Sequence, residues 1–274
     1  MTAALPRLHA VTDDRVAALP DLVRKATAMA SVAGADLAVH LRTRILGGRA
    51  FLERARAIGA ALHPYGAWLV INDRADVARA VGAQAVVTGR GGLLPPDVKH
   101  VAPQAMVGRS VHDAAECRAE AGADFLIAGP VYPTASHPDT PPAGLDIVRT
   151  AAATGRPVIA IGGLTADRAS EVLAAGAHGV AAIRALWDAV DPAAAAAAFL
   201  DRLPALDLMD IEINGEPRHA RRGITIAELL GDLSLDPRTV VVEHNRHIVR
   251  RDALGTVRVA DGDRFELVHF VGGG

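Results

Sequence analysis

Residues 157–183 read PVIAIGGLTADRASEVLAAGAHGVAAI. Two short apolar runs, "PVIAIGG" (157–163) and "GVAAI" (179–183), bracket "DRASEVLAAGA", in which Ala169, Val172 and Leu173 recur at helical spacing. A run of apolar residues with no polar alternation suits a strand buried on both faces, as in a parallel sheet. The same pattern extends back to residue 7 through "LHAVT" (8–12), "LAVHL" (37–41), "WLVI" (68–71), "AVVTG" (85–89), "AMVG" (105–108) and "FLIAG" (125–129), with helical stretches such as "DLVRKATAMASVAG" between them. Eight such units before residue 202 predict an α/β fold, a (β/α)8 barrel over residues 1–202. A doubly wound open sheet is the alternative, and it gives no reason for eight units. The count turns on the runs 37–41 and 105–108.

After "LPALDL" (203–208), read as a linker, the pattern changes to alternation. "DIEINGEPRHA" places apolar and polar residues in turn around Asn214-Gly215, a hairpin signal. "TIAELLGDL" reads as a helix with Thr225 as N-cap and Glu228 completing a capping box. "TVVVEH", a tight connection at Asn245, "HIVR", the turn "ADGDR" and the strand "RFELVHFV" follow. The order ββαβ(β)β predicts that residues 209–274 form a small α+β roll, a sheet wrapped on one helix.

Charge and composition exclude several classes. Residues 1–208 carry 20 basic and 20 acidic side chains, and residues 209–274 carry 9 and 11. Neither part has the basic excess that nucleic acid or an anionic membrane would require. The single cysteine, Cys117, excludes an internal disulfide and reads as a small buried residue. "MTAALPRLHAVTDD" lacks the pattern of a signal peptide, and no uncharged apolar stretch is long enough to span a bilayer, so the expected compartment is the cytoplasm. Whether the chain forms a homo-oligomer is left open.

Three stretches of the first region carry chemistry. Gly162-Gly163 ends the seventh strand and "AAIRAL" (181–186) the eighth, the usual place of a phosphate cradle in such barrels. Glycine lets backbone N–H groups approach a phosphate, and Ile183 and Arg184 add N–H groups and a charge. The plain alternative is a tight strand-to-helix turn. "GPVYPTASHPDTPPAG" (129–144), the loop after strand six, carries His137, a side chain suited to proton transfer near neutral pH. "VHLRTR" places His40, Arg42 and Arg44 after strand two, where they suit an anionic substrate, with Arg44 expected to face solvent.

Together with "VINDRADVARAVGA", "VGRSVHD" and "ADFLIAGPVYPT", these stretches resemble the thiamine phosphate synthase/thiazole tautomerase family over residues 7–200. The resemblance implies one of two reactions. The synthase joins a pyrimidine pyrophosphate to a thiazole phosphate and needs Mg²⁺ held by two aspartates. The first would match Asp73 in "NDR"; where the second belongs, this chain reads "GRGGLLP", with Gly92 in its place. The synthase's loop lysine in a T-x-T-K pattern is also missing, replaced by "TASHP". "PTASHPDTPPAG" resembles the tautomerase, which moves a proton from ring carbon C2 of a non-aromatic carboxythiazole phosphate to its exocyclic carbon. That reaction needs no metal or redox cofactor. On this resemblance His137 transfers the proton, Gly162, Gly163, Ile183 and Arg184 hold the phosphate, Arg42 takes the carboxylate and Ser110 lines the pocket. A barrel without catalysis, serving as a scaffold, is the third reading.

The chain given ends "RFELVHFVGGG". Three glycines carry no side chain, so they fit a groove that would reject any Cβ, and their terminal carboxylate is accessible. "IEINGEPR", "TIAELL", "VVVEHNRHIVRRDAL" and "VADGDRFELVHFVGGG" resemble the sulfur-carrier protein of thiamine biosynthesis, a β-grasp (ubiquitin-like) family. The resemblance implies that Gly274, on a tether of Gly272 and Gly273, is adenylated at the expense of ATP by a partner adenylyltransferase. With a sulfur donor it then becomes a thiocarboxylate that delivers sulfur to thiazole synthase. The fusion would join the step before thiazole formation to the step after it.

Overall fold

A computed structural model describes residues 5–119, 122–134, 141–203, 208–233, 235, 237 and 239–269. Inter-residue contacts divide the chain between residues 204 and 205 into two compact units. In the first, eight parallel strands close into a barrel in sequence order. They are β1 (Leu8–Val11), β2 (Leu37–Leu41), β3 (Trp68–Asn72), β4 (Ala85–Thr88), β5 (Met106–Val111), β6 (Phe125–Ala128), β7 (Val158–Ile161) and β8 (Gly179–Ala182). Closure is made by β1 and β8, with Leu8 opposite Val180 and Ala10 opposite Ala182. The runs 37–41 and 105–108, on which the strand count turns, are true strands, β2 and β5. The open-sheet alternative is excluded by the closed register.

Alternation along each strand sorts side chains into two cores. Leu37, Val39, Leu41, Val107 and Val111 point outward into a layer shared with the surrounding helices. Ala38, Trp68, Val70, Met106, Phe125, Ile127, Ile159 and Ala181 point inward and fill the barrel. The inward phase continues to the strand ends and so decides which residues reach the mouth. Gly108 and Gly129 are tight inward points. A Cβ at Gly108 would overlap the Phe125 ring, and one at Gly129 would overlap the Ile161 carbonyl of the next strand. The barrel has few aromatic residues, and glycine is what lets Phe125 occupy its centre.

A histidine pair also lies inside. His9 Nε2 donates to the Pro6 carbonyl at 2.9 Å, and His9 Nδ1 lies 2.7 Å from His40 Nε2. A carbonyl only accepts, so His9 Nδ1 is the acceptor and His40 Nε2 the donor when both rings are neutral. Burial keeps both neutral: it pushes His9 down to about 4 and His40 well below its ordinary value, with the neighbouring ring adding to the effect on His40.

The helix Pro192–Leu200 packs on the helix Leu22–Ala33. The Asp191 side chain caps it by accepting from the N–H groups of Ala193 and Ala194. The sequence reading ended the barrel at residue 202, but Leu203 is buried in its core, so the apolar side chain extends the first unit. Cys117 is buried as expected. Among the described residues no helix is long and apolar enough to cross a membrane.

The second unit holds a five-stranded sheet in the order β10-β9-β13-β11-β12, formed by β9 (Leu208–Ile213), β10 (Glu216–Arg221), β11 (Val240–His244), β12 (His247–Val249) and β13 (Arg264–His269). β9 starts one residue before the expected boundary. Asn214 and Gly215 both have positive φ, the backbone a two-residue hairpin needs. The Thr225–Glu228 capping box opens the helix Ile226–Asp232, whose Ile226, Leu229 and Leu230 pack against Phe265 and Leu267. β13 is central, parallel to β9 and antiparallel to β11. Gly272, Gly273 and Gly274 lie outside the described residues.

Two outcomes are expected. Both tryptophans, Trp68 and Trp187, lie in the barrel unit, so their fluorescence reports its unfolding alone. Gly108→Ala should cost about 1–3 kcal/mol of barrel stability by overpacking, read as a lower urea midpoint with unchanged slope. A folded-state pKa below the unfolded value means that stability is full above pH 6.5 and is lost as pH falls toward about 4. For His9 this amounts to ~3 kcal/mol, so His9→Gln should flatten the pH dependence in that window; an unchanged slope would show that His9 does not titrate on unfolding.

Candidate functional site

The carboxyl ends of the eight strands surround a cavity of about 1040 Å³. Its position follows from the fold, because every connection after a strand rises at this rim. The inward phase of β2 brings His40 and then Arg42 to it, that of β3 brings Asn72, and that of β5 brings Ser110 and then His112. Arg42, Ser110, Gly162, Gly163, Ile183 and Arg184, scattered in sequence, all line this one cavity. Among the described residues its charged lining is Arg42, Arg44, Arg90 and Arg184 against the single acid Asp73, a field suited to an anionic ligand.

Thr12 positions Arg42: its hydroxyl donates to the Arg42 carbonyl at 2.9 Å and accepts from the Arg42 N–H at 2.8 Å. Asp14 holds the next turn, accepting from Thr43 Oγ1 at 2.8 Å and the Arg44 N–H at 2.6 Å. These bonds, led by that from the Arg44 backbone, keep the Asp14 carboxyl below its usual range. Arg44 is exposed, as expected, and its side chain still borders the mouth. His40 departs from the reading that grouped it with the anion-binding arginines. It lies within β2, fully buried and neutral, and therefore supplies no positive charge. Its Nδ1 and the Asn72 Oδ1 are buried, and Asn72 is the side chain that tempers the lowering at His40.

Gly162 and Gly163 have φ of 101° and 63°. A Cβ at Gly162 would lie 2.6 Å from Pro130 Cα, and one at Gly163 would lie 2.5 Å from the Pro133 carbonyl oxygen. Both glycines are thus required by close packing of the loop after β7 on the loop after β6, apart from any phosphate. Backbone bonds from Val131 to Ile161 and from Tyr132 to Gly162 join the two loops. Arg168 stacks 4.5 Å over the Tyr132 ring and donates to the Gly163 carbonyl at 2.7 Å, and the Tyr132 hydroxyl donates to Glu171 at 2.6 Å. The start of the loop after β6 is thereby held at Val131 and Tyr132. His137, the expected proton-transfer residue, lies outside the described residues.

Opposite in the ring of loops, Asp73 sits at φ 61° and accepts from the Gly89 N–H at 3.2 Å. A Cβ at Gly92 would lie 3.1 Å from Asp73 Oδ1. Position 92 is therefore where a second carboxylate would meet the first, and glycine leaves Asp73 without it. Beneath this loop Arg109 donates to the carbonyls of Gly89 and Leu93 at 2.8 and 3.3 Å, holding it in place. The residues present do not fit a Mg²⁺ ion shared by two aspartates at positions 73 and 92.

His112 was not singled out from sequence. It continues the inward column Met106, Gly108, Ser110 one step past β5 and lines the cavity. Its Nδ1 lies 2.9 Å from Glu116 Oε2, which also accepts the His112 N–H at 2.8 Å. Counting the strand phase through "VGRSVHD" would have placed it at the mouth.

The TMP-TENI family model, described as thiamine monophosphate synthase, matches residues 8–186, and the ThiS family model matches residues 211–274. The thiamine-phosphate synthase of Salinispora arenicola is 42% identical over 210 residues, covering 73% of this chain and 99% of that protein. The thiamine biosynthesis bifunctional protein ThiM/ThiE of Symbiobacterium thermophilum is 44% identical over 170 residues, covering 60% of this chain and 35% of that longer protein. Among solved structures, thiamine phosphate pyrophosphorylase from Pyrococcus furiosus superposes with a TM-score of 0.62 at 30% identity, covering 72% of this chain and 94% of that one. The names of these relatives favour the synthase, the alternative of the sequence reading, over the tautomerase. The chain belongs to the TMP-TENI family of thiamine biosynthesis and carries, behind that barrel, a β-grasp domain of the ThiS family.

Proposed function

We propose that the barrel is a thiazole tautomerase and that residues 209–274 carry sulfur to thiazole synthase as a Gly274 thiocarboxylate. The observation that carries the first part is the pairing of Asp73 with Gly92: where a side chain's Cβ would stand 3.1 Å from Asp73 Oδ1, there is only hydrogen and no second carboxylate. Tautomerisation does not need that carboxylate. It needs an anion-holding cavity and a group that moves a proton. Four arginines border the cavity and suit a substrate bearing both a phosphate and a carboxylate. The Gly162–Gly163 turn and the backbone of Ile183 and Arg184 would face the phosphate, Arg42 the carboxylate, and His137 would take the C2 proton. Aromatisation of the ring supplies the driving force.

A second reading, thiamine phosphate synthase, is favoured by the relatives' names, which are those of the transferase at up to 99% coverage of the relative. It would require some other group to complete the metal site beside Asp73. The carrier role rests on the ThiS match over residues 211–274, within which β13 is the central strand.

The full chain, given the non-aromatic carboxythiazole phosphate in the presence of a chelator, should accelerate the rise of aromatic absorbance. His137→Ala should lower kcat about 10²-fold or more, in the range of general acid–base groups. Equal activity of His137→Ala would remove that residue from the mechanism, and no acceleration by the intact chain would remove the tautomerase. For the carrier, incubation with the adenylating partner, ATP and a sulfur donor should raise the intact mass by the replacement of one oxygen with sulfur. Deleting Gly274 should abolish the gain; a gain that survives the deletion would place the sulfur elsewhere.

A further inference from the structure

The β5 side of the cavity carries a histidine that the reaction described above leaves unused. His112 continues the inward column of β5 one step past Ser110 and lines the same cavity as Arg42, Arg184 and the Gly162–Gly163 turn. Its Nδ1 lies 2.9 Å from Glu116 Oε2. An ionised carboxylate only accepts, so Nδ1 carries the hydrogen and Nε2 is the ring nitrogen left for a ligand. Glu116 is held on three sides. Its Oε2 also accepts the His112 backbone N–H at 2.8 Å, its own N–H donates to Asp113 at 2.9 Å, and Arg90 Nε donates to its Oε1 at 2.6 Å. Arg90 also reaches Asp113, at 3.4 Å, so the loops after β4 and β5 are tied together with the imidazole at their edge. Burial pushes the Glu116 carboxyl upward, but the bonds from His112 and Arg90 outweigh it and hold the group below its ordinary range, so it stays ionised. Capping of the helix Ala114–Ala119 explains the backbone bonds at its start. It does not explain the ring contact, nor why a histidine stands in the barrel's inward column.

Charge gives the ring a role. Glu116 and Asp113 are negative and Arg90 is positive, so a proton on His112 leaves this cluster neutral. Asp73, across the loop after β4, also favours that proton, whereas Arg42, Arg44 and Arg184 in the cavity lining oppose it. An anionic ligand removes the opposition, because it offsets the arginines and sets negative charge before Nε2. We propose that His112 binds an anionic group of the substrate as an imidazolium, through its Nε2–H, and takes up a proton as the ligand enters. The identity of that substrate rests on the tautomerase reading. The loops after β4 and β5 then supply an anion contact apart from Arg42 and the Gly162–Gly163 turn. By linkage, binding is tightest below the titration of the ring and weakens as pH rises through it, since high pH removes the proton that binding requires.

The full chain tests this by calorimetric titration with the aromatic carboxythiazole phosphate, a product that undergoes no turnover, in buffers of different ionisation heat. Affinity should fall with rising pH. His112→Gln should weaken binding about tenfold or more, the worth of a hydrogen bond to a charged group, and should take up fewer protons than the unaltered chain. Protons exchanged by the ligand's own phosphate are common to both and cancel. Glu116→Gln, which keeps the shape but loses the charge, should lower the proton count in the same direction; a residue that only capped the helix would leave it unchanged. Equal affinity and equal proton count in His112→Gln and the unaltered chain would overturn the proposal and leave the tautomerase standing. Should tryptophan fluorescence show that His112→Gln unfolds the barrel, Glu116→Gln decides, and an unchanged proton count there overturns the proposal. An unaltered chain that does not bind the ligand removes the substrate reading and this inference with it.

Discussion

Closure of the barrel is the constraint on which everything else depends. Once β8 pairs with β1, the inward phase of every strand is set and eight carboxyl ends meet at one rim. Arg42, Ser110, Gly162 and Arg184 share a cavity for that reason alone, since nothing in their sequence spacing brings them together. Closure also crowds the interior. Glycine at 108, 129, 162 and 163 is what allows Phe125 and the loop after β6 to fit against their neighbours. The glycines beside the cavity therefore serve packing first, and any approach of a phosphate to their backbone uses room that packing already demanded.

The barrel was legible because its signal is long and repetitive: eight apolar runs with helices between, read without any contact information. The β-grasp unit was legible because its turn and cap chemistry is local, in Asn214-Gly215 and in Thr225 with Glu228. Boundaries were less so. Leu203 reads as linker by its proline-containing surroundings, yet its side chain is buried in the barrel core. In the site, residues at strand ends were found by position, whereas His40 was misread. As the fourth residue of β2 it points inward below the rim, and burial removes the charge expected of it. His112 was missed because its role depends on strand phase and on a partner four residues away, and neither stands out in a string.

The two units answer different questions about one pathway. Similarity to TMP-TENI and ThiS families establishes the pathway for both. Within it, family likeness alone does not separate transferase from isomerase. The separation falls on a few side chains. A carboxylate at position 92 would serve a metal-bound pyrophosphate, while an imidazole serves proton transfer. This chain has the glycine and the imidazole.

The chemistry proposed for the barrel is proton transfer rather than coupling of two substrates. The most direct measurement gives one preparation of the full chain two assays side by side. In one, the carboxythiazole phosphate tautomer is supplied with chelator and aromatic product is followed. In the other, pyrimidine pyrophosphate and thiazole phosphate are supplied with Mg²⁺ and released pyrophosphate is followed. Rapid aromatisation in the first and no pyrophosphate above background in the second are expected. Pyrophosphate release with no aromatisation would contradict that chemistry and establish the synthase.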